Sequence, residues 1–508
     1  MWRMMKFVDR QLNKITMYRL VLYILIAYLL AAFILCMTGS LSYDPFALLL
    51  SIAILLAVCA VVNWSFGKVF NVPTNVESVY ISALILALII SPIKSLNDLW
   101  FLVWAAVLAM ASKYIVAYRG KHLFNPIALA VALTYYTLNQ SASWWIGSGP
   151  MLPFVLVGGF LLVRKMRRFG LVLSFVVAVA VTTLLTSPFT SSNYFTTMQK
   201  LLLYSPFLFL ASVILTEPLT TPPTQKLQMV YGALVGVLFT PQIHFGTFYI
   251  TPELAILTGN LFSYIVSPKE TLVLKFREKN RLTPDIYEFT FAPERKLAFT
   301  PGQYMEWTLG CAGPDSRGNR RFFTLASAPT EHNLKIGIKF PENSSSYKTA
   351  LLTMKRDTPI VATGLGGDFV LPKNPRQKLV FIAGGIGITP FRSMIKYLLD
   401  IRQRRPIVLF YSVKTVAEIA YKDIFDQAVR ELGIKVIYAV TDPSNIPAAW
   451  TGKIGRISVE QLKAEVPDYR RSEFYISGPD AMVDGFKDSL SQLGIKGSQI
   501  KTDYFAGF

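Results

Sequence analysis

Phe381-Ile382-Ala383-Gly384-Gly385-Ile386-Gly387-Ile388-Thr389-Pro390 reads as a buried strand that ends in three glycines, with Pro390 placed where a helix begins. Backbone without side chains can approach a pyrophosphate at such a turn, and the helix N-terminus supplies amide donors and partial positive charge. The spacing is not that of the usual GxGxxG fingerprint, so the run by itself is a weak nucleotide signal. What surrounds it decides more. On its C-terminal side the pattern predicts a helix over 390–402, a strand over 407–412, a helix over 416–432, and strands over 435–440 and 474–477. On its N-terminal side, strands over 271–276, 286–291, 303–309 and 334–340 are separated by Pro, Gly and charged turns. This is a β-barrel (269–375) followed by a doubly wound α/β domain (376–508).

Further upstream the chain changes character. Residues 1–268 carry 16 Lys+Arg and 6 Asp+Glu, whereas residues 269–508 carry 35 and 25, so the first part is an α-helical polytopic membrane domain and the second is soluble. The net charge of +20 divides evenly between them, which points away from nucleic acid and toward lipids and anionic cofactors. Ten apolar stretches suit a bilayer, over 18–37, 46–63, 76–90, 98–117, 126–138, 144–163, 170–186, 201–216, 228–245 and 252–267. The first is too long and lacks the small-residue site expected of a cleaved signal. Alternate connections collect fourteen Lys/Arg on one side and only Lys94 and Lys200 on the other. That asymmetry predicts a multi-pass protein of the inner (plasma) membrane, with the N-terminus and the soluble half cytoplasmic.

Counting disfavours other redox groups, leaving room at most for a single bis-His haem. Three cysteines, Cys36, Cys59 and Cys311, are too few for a four-thiolate cluster. The membrane half holds only His122 and His244, which rules out a two-haem core. The spans 76–90 and 126–138 are short, and half-length helices mark sites where protein or a cavity satisfies loose backbone. Asn125 precedes one of them and Glu217 follows another span, in Thr216-Glu217-Pro218. They read either as caps of Pro-bounded turns or as the lining of a polar pocket for a flavin ring or an ion.

Two motifs precede the glycine turn. In Arg320-Arg321-Phe322-Phe323-Thr324, the residues Arg321, Phe323 and Thr324 offer a cation for a diphosphate, a flat surface for an isoalloxazine and a hydroxyl near its reactive nitrogen; equally, the aromatics could face a barrel core. Asn343 to Lys348, with Ser345 and Ser346, offers a second anion cradle or an N-cap.

The ten spans, the run Tyr118-Arg119-Gly120-Lys121-His122-Leu123-Phe124-Asn125-Pro126 and the Thr216-Glu217-Pro218 turn together resemble the B subunit of the sodium-translocating NADH:quinone reductase and the D subunit of the Rnf complex. Members of that family commonly carry flavin mononucleotide on the Thr of a Ser-Gly-Ala-Thr motif, which is missing here. The resemblance therefore implies at most a non-covalent second flavin (FMN or riboflavin), with Asn125 and Glu217 beside it. The soluble half resembles the ferredoxin:NADP reductase superfamily. The ordered set is Pro301-Gly302-Gln303-Tyr304, Arg321-x-Phe323-Thr324, Ser345-Ser346, Gly366-Gly367-Asp368-Phe369, the glycine turn, Ser477-Gly478-Pro479 and the terminal Asp503-Tyr504-Phe505.

That likeness implies FAD at Tyr304, Arg321, Phe323, Thr324, Ser345 and Ser346. It implies a nicotinamide nucleotide at Gly384, Gly385, Gly387, Thr389, Pro390, Gly478 and Pro479, and an aromatic, Tyr504 or Phe505, close to the flavin. Thr324, Ser477 and Tyr504 are the candidate catalytic groups. The family's Cys-Gly-Pro turn is Ser477-Gly478-Pro479 here, and hydride transfer needs aligned approach more than it needs a thiol. Lys414 could pair with a 2′-phosphate and favour NADPH, though a solvated surface lysine is the commoner fate. The function implied is a membrane flavoprotein dehydrogenase passing electrons from NAD(P)H through FAD to a membrane flavin or a quinone. The rivals are an anchored reductase serving a diffusible acceptor, and a transporter with a redox-sensing flavin domain.

Overall fold

The computed structural model describes the chain apart from residues 1–4, 6–7, 10, 13–14, 71–75, 119–120, 188–192, 268–271, 311–318, 342–343, 445 and 504–508. It forms two compact units, one ending at Lys269 and the other running over Glu270–Phe505.

In the first unit the apolar stretches are helical: α1 (Met17–Met37), α2 (Pro45–Val69), α3 (Val76–Ile89), α4 (Leu96–Ile115), α5 (Pro126–Leu138), α6 (Leu152–Met166), α7 (Phe169–Thr186), α8 (Tyr194–Tyr204), α9 (Gln225–Phe239) and α10 (Pro252–Val266), the stretch 201–216 being divided between the end of α8 and the segment Phe207–Ile214. Five stretches, Met17–Met37, Pro45–Val69, Leu96–Ile115, Gly149–Met166 and Phe169–Thr186, are long and apolar enough to cross a bilayer. A sixth is a bent pair, α8 followed by Phe207–Ile214 at 69°. The bend sits at Pro206, whose ring cannot continue the hydrogen-bond ladder. The remaining helices are short: α5, with 13 residues, rises only ~20 Å.

Their ends are fixed locally. The side chains of Asp44, Asn125, Thr224 and Thr251 accept first-turn amides, and Ser95 with Asp98 forms a reciprocal capping box. With no hydrophobic force between helices in lipid, close approach through small residues does the packing. A Cβ at Gly232 or Gly236 would lie 2.5 or 2.6 Å from the carbonyl oxygen of Leu171 or Phe175, so α7 and α9 touch backbone to backbone.

The second unit opens with β1 (Leu272–Arg281), β2 (Ile286–Pro293), β3 (Tyr304–Thr308), β4 (Arg320–Thr324), β5 (Leu334–Lys339), α11 (Ser346–Leu352) and β6 (Pro359–Gly366). The strands form an antiparallel sheet in the order β4-β3-β6-β1-β2-β5. The sheet curls until its edges meet, where the Ala326 amide donates to the Lys335 carbonyl at 2.8 Å. Trp307, Phe289 and Phe291 fill its interior.

There follow β7 (Leu379–Gly384), α12 (Thr389–Asp400), β8 (Ile407–Val413), α13 (Lys422–Leu432), β9 (Lys435–Val440), β10 (Lys453–Ile454), α14 (Val459–Glu465), β11 (Glu473–Ser477), α15 (Asp480–Gln492) and β12 (Ile500–Thr502). All of these strands are parallel, in the order β10-β9-β8-β7-β11-β12. β7 is buried along its whole length, as expected of a central strand covered on both faces. The helix expected over 416–432 divides into a short 3-10 turn at Val416–Glu418 and α13, with Tyr421 in the left-handed conformation between them.

Candidate active site

Register brings the predicted residues to one place. Tyr304 pairs across the ladder with Thr324, and Met305 with Phe323. At the carboxyl end of the parallel sheet, Ala383 lies beside Ser477 and Ile476 beside Thr502. The Asp503 amide then donates to the Ile476 carbonyl at 3.1 Å, which fixes Asp503 next to Ser477. Both hydroxyls converge on one oxygen. Ser477 Oγ donates to Asp503 Oδ2 at 3.2 Å, and Thr324 Oγ1 reaches the same atom at 3.5 Å. Burial pushes the Asp503 carboxyl up to about 7, against the two hydroxyls, which pull it down. Asp503 held no role in the sequence reading. The only signal was an acid directly after a short run ending in Thr502.

The two glycine turns need their glycines for contact with each other. A Cβ on Gly478 would lie 3.0 Å from the Gly384 backbone, one on Gly384 would meet Pro479 Cδ at 3.0 Å, and one on Gly387 would collide with the Ser477 carbonyl. Gly385 differs: its φ is +53° and the space beyond its missing Cβ is open, so bare backbone faces outward there. The Gly385–Ile388 turn leads into α12, where Thr389 is buried with its Oγ1 donating to the Ile386 carbonyl and Pro390 lies in the first turn.

On the barrel, the Arg321 guanidinium is buried, donates to the Arg320 carbonyl at 2.6 Å and lies 5.1 Å over the Tyr347 ring. Phe323 packs against the same ring at 6.0 Å, and Tyr304 meets Phe322 edge to face at 5.6 Å. Of the two serines, Ser345 is the N-cap of α11, its Oγ accepting from the Lys348 amide at 3.3 Å, while Ser346 is the half-buried first residue of that helix. Lys414 is exposed just past β8. Tyr504 and Phe505 lie outside the described residues, as does Asn343.

Sequence reasoning also missed what holds the barrel to the α/β domain. Arg392 on α12, itself buried, pairs with Glu331 through both guanidinium nitrogens and donates to the Ala326 carbonyl at 3.0 Å; Ser393 donates to the Ser327 carbonyl at 2.6 Å. The bonds to Ala326 and Ser327 lie within three residues of Thr324 and help to set its distance from Ser477.

In the first unit, Asn125 and Glu217 are brought together. Asn125 Oδ1 caps α5, accepting from Ile127 and Ala128, and its Nδ2 donates to Glu217 Oε2 at 2.5 Å. Thr220 donates to the same carboxylate, Asn260 accepts from the Asn125 amide at 2.7 Å, and Asn260 donates to the Tyr231 hydroxyl. Lys113 and Arg168 lie in the electrostatic surroundings of Glu217 and donate to Ser78 and to Thr216 and Thr221. These polar atoms are engaged with one another.

Comparison with known proteins agrees with this division. The model of the NQR2, RnfD, RnfE family matches residues 145–269, and that of the oxidoreductase NAD-binding domain matches residues 381–488. The chain is thus similar to the membrane subunits in its first half and to flavin reductases in its second, as a fusion. The reductase subunit of stachydrine N-demethylase from Rhizobium meliloti is 27% identical over 226 residues, 44% of this chain and 63% of that protein. NADH-cytochrome b5 reductase 1 of Ajellomyces capsulatus is 26% identical over 265 residues, 49% of this chain and 84% of that protein. Among solved structures, the FAD/NAD-binding domain of nitric oxide dioxygenase from Vibrio cholerae is 20% identical with a TM-score of 0.40, covering 46% of this chain and 98% of that one. The matched region spans about three-fifths of the length of the stachydrine N-demethylase reductase subunit and of a flavohemoprotein of Bacillus cereus, 24% identical over 245 residues.

Proposed function

We propose that the chain is a membrane-bound flavoprotein oxidoreductase that takes electrons from NAD(P)H at the Thr324–Asp503–Ser477 junction and delivers them to a quinone or to a second, non-covalent flavin in the membrane. The observation that carries this reading is the convergence of a barrel hydroxyl and an α/β hydroxyl on one half-buried carboxyl, directly beside two glycine turns in backbone contact.

The residues fit FAD. The buried Arg321 guanidinium supplies the cation for a diphosphate, the Tyr304 and Phe323 strand pair flanks Thr324, and the open backbone at Gly385 ahead of α12 suits the pyrophosphate of the nicotinamide nucleotide. FAD held there would accept a hydride and release its electrons singly or in pairs, the chemistry that cofactors supply while protein orients them. Thr324 and Ser477 would set the approach of the nicotinamide from two domains that Arg392 and Glu331 lock together. Asp503, near neutrality in its carboxyl, can hold or give up a proton at Oδ2 across the physiological range.

The Lys/Arg asymmetry of the connections supports a cytoplasmic reductase unit, where NAD(P)H is available. The choice of NADPH over NADH would rest on Lys414 alone, whose side chain is exposed.

The test is to count flavins per purified polypeptide and follow bleaching under anaerobic NADH and NADPH. One FAD with a second flavin retained by the membrane unit supports the relay to flavin. One FAD with quinone reduction supports the direct route. One FAD with reduction of soluble acceptors only would indicate an anchored reductase, and a colourless protein would end the proposal.

A further inference from the structure

We infer that the α/β domain carries a docking surface for anionic phospholipid headgroups at the edge of its sheet opposite the glycine turns. In a parallel sheet every strand begins at the same edge, and here the segments entering β7, β8 and β11 are basic. Lys373 and Arg376 precede β7, Arg402 and Arg404 precede β8, and Arg470 and Arg471 precede β11; all six are exposed.

Hydrogen bonds show that these segments form one surface. Gln377 Nε2 donates to the Arg471 carbonyl at 3.0 Å, the Leu379 amide to the Pro406 carbonyl at 2.9 Å, Arg405 Nη1 to the Pro372 carbonyl at 2.8 Å, and Gln499 Nε2 to the Arg470 carbonyl at 2.9 Å. Acids near this edge are already matched: Asp468 with Lys378, Asp400 with Lys396, and Glu473 with Lys501 at 3.6 Å. Among the described residues, none of the six exposed cations lies within ion-pair distance of an acid, although Arg471 stands in the electrostatic surroundings of Asp468. Ile401 stands among them 41% exposed, an apolar side chain suited to a headgroup boundary.

The occupant is argued from the rest of the chain. Five helices long and apolar enough to cross a bilayer precede this domain, so a lipid surface accompanies every copy of it. A clustered set of Lys and Arg tethered near an anionic leaflet is drawn to it within a Debye length.

The experiment uses the full-length protein in nanodiscs of phosphatidylcholine with and without phosphatidylglycerol, read by amide hydrogen exchange. Exchange at 373–378, 402–405 and 470–473 is expected to slow by about tenfold with phosphatidylglycerol, the effect of one to two basic residues held at an anionic surface. High salt should abolish the slowing, as should the double variant R470E/R471E. Anaerobic bleaching by NADH, followed in parallel, should be unchanged in that variant, which shows that it is folded and separates this proposal from the hydride-transfer reading. Equal exchange in both nanodiscs, or slowing that persists in the variant, would overturn the inference. So would slowing that appears only when a ferredoxin is added.

Discussion

Three side chains, Thr324, Ser477 and Asp503, come from three separate elements and meet at one carboxyl oxygen, so the junction depends on each of them differently. The hydroxyls orient, whereas Asp503 titrates. Its carboxyl is raised from the ordinary range near 4 to about 7, so the folded chain binds a proton in that window which the unfolded chain does not. Stability from this group is therefore fullest below pH ~4 and falls as pH rises toward 7. If the same proton serves turnover, kcat for NADH-driven ferricyanide reduction should show an inflection near neutrality, and Asp503→Asn should remove it. The expected cost in kcat is about tenfold to a hundredfold, with KM for NADH changed little. A variant that retained the inflection would assign it to another group. Arg321→Ala belongs to the same scale. It deletes a buried cation rather than a proton carrier, so the purified variant should carry at least about tenfold less FAD at equal chain concentration.

The glycine turns, the strands they end and the helices they open behave as elements. Gly387→Ala would drive a methyl into the Ser477 carbonyl and separate β7 from the β11 turn, costing about 1–3 kcal/mol of stability together with nucleotide binding. Gly385→Ala meets no atom and suffers only from its positive φ, so it should cost less, about 1 kcal/mol. Thermal unfolding and NADH titration of the two variants would separate collision from backbone strain. The turns were legible in the sequence because glycines, a following proline and an apolar strand are local signals. Four of the six barrel strands were legible through their alternation; β4 was read as a cofactor motif, and in β6 Gly364 and Gly366 broke the pattern. Asp503, and the Arg392 to Glu331 pair, were not legible, because each acquires meaning only from a partner many residues away. In the first unit composition located helical segments at each of the ten apolar stretches, five of them long enough to cross a bilayer and a sixth bent. It also marked 76–90 and 126–138 as short, as α3 and α5 are, but it could not show the bend, which depends on neighbours such as Gly147 packed against the Ser205–Pro206 break.

At the scale of the molecule the two units solve the solvent problem in opposite ways. In the second unit Ile401, Val429 and Ile454 are the only large apolar side chains well exposed among the described residues, whereas the first unit presents Leu30, Val61, Trp64, Val157, Leu173 and many others outward. A surface of that kind suits hydrocarbon, and some of the unit's charges are held by partners: Lys113 and Arg168 lie near Glu217, and Arg164 is bound by Asp9 at 2.6 Å. The units should therefore separate cleanly in function. Residues 270–508 expressed alone have their own apolar cores and should be soluble, yellow and able to reduce ferricyanide with NADH at a rate within a few-fold of the whole chain. Quinone reduction in membranes should be lost, because the groups that receive electrons from the flavin would have been removed. The complementary change is made inside the first unit. Glu217→Leu leaves Lys113 and Arg168 without their shared carboxylate and should cost about 3–5 kcal/mol of that unit's stability. Glu217→Gln keeps partners for Asn125 and Thr220 and should be milder. If either full-length variant loses quinone reduction while ferricyanide reduction stays at the wild-type rate, the network belongs to the electron-accepting half. If every rate is unchanged in both, its role is confined to holding α5, α9 and α10 together.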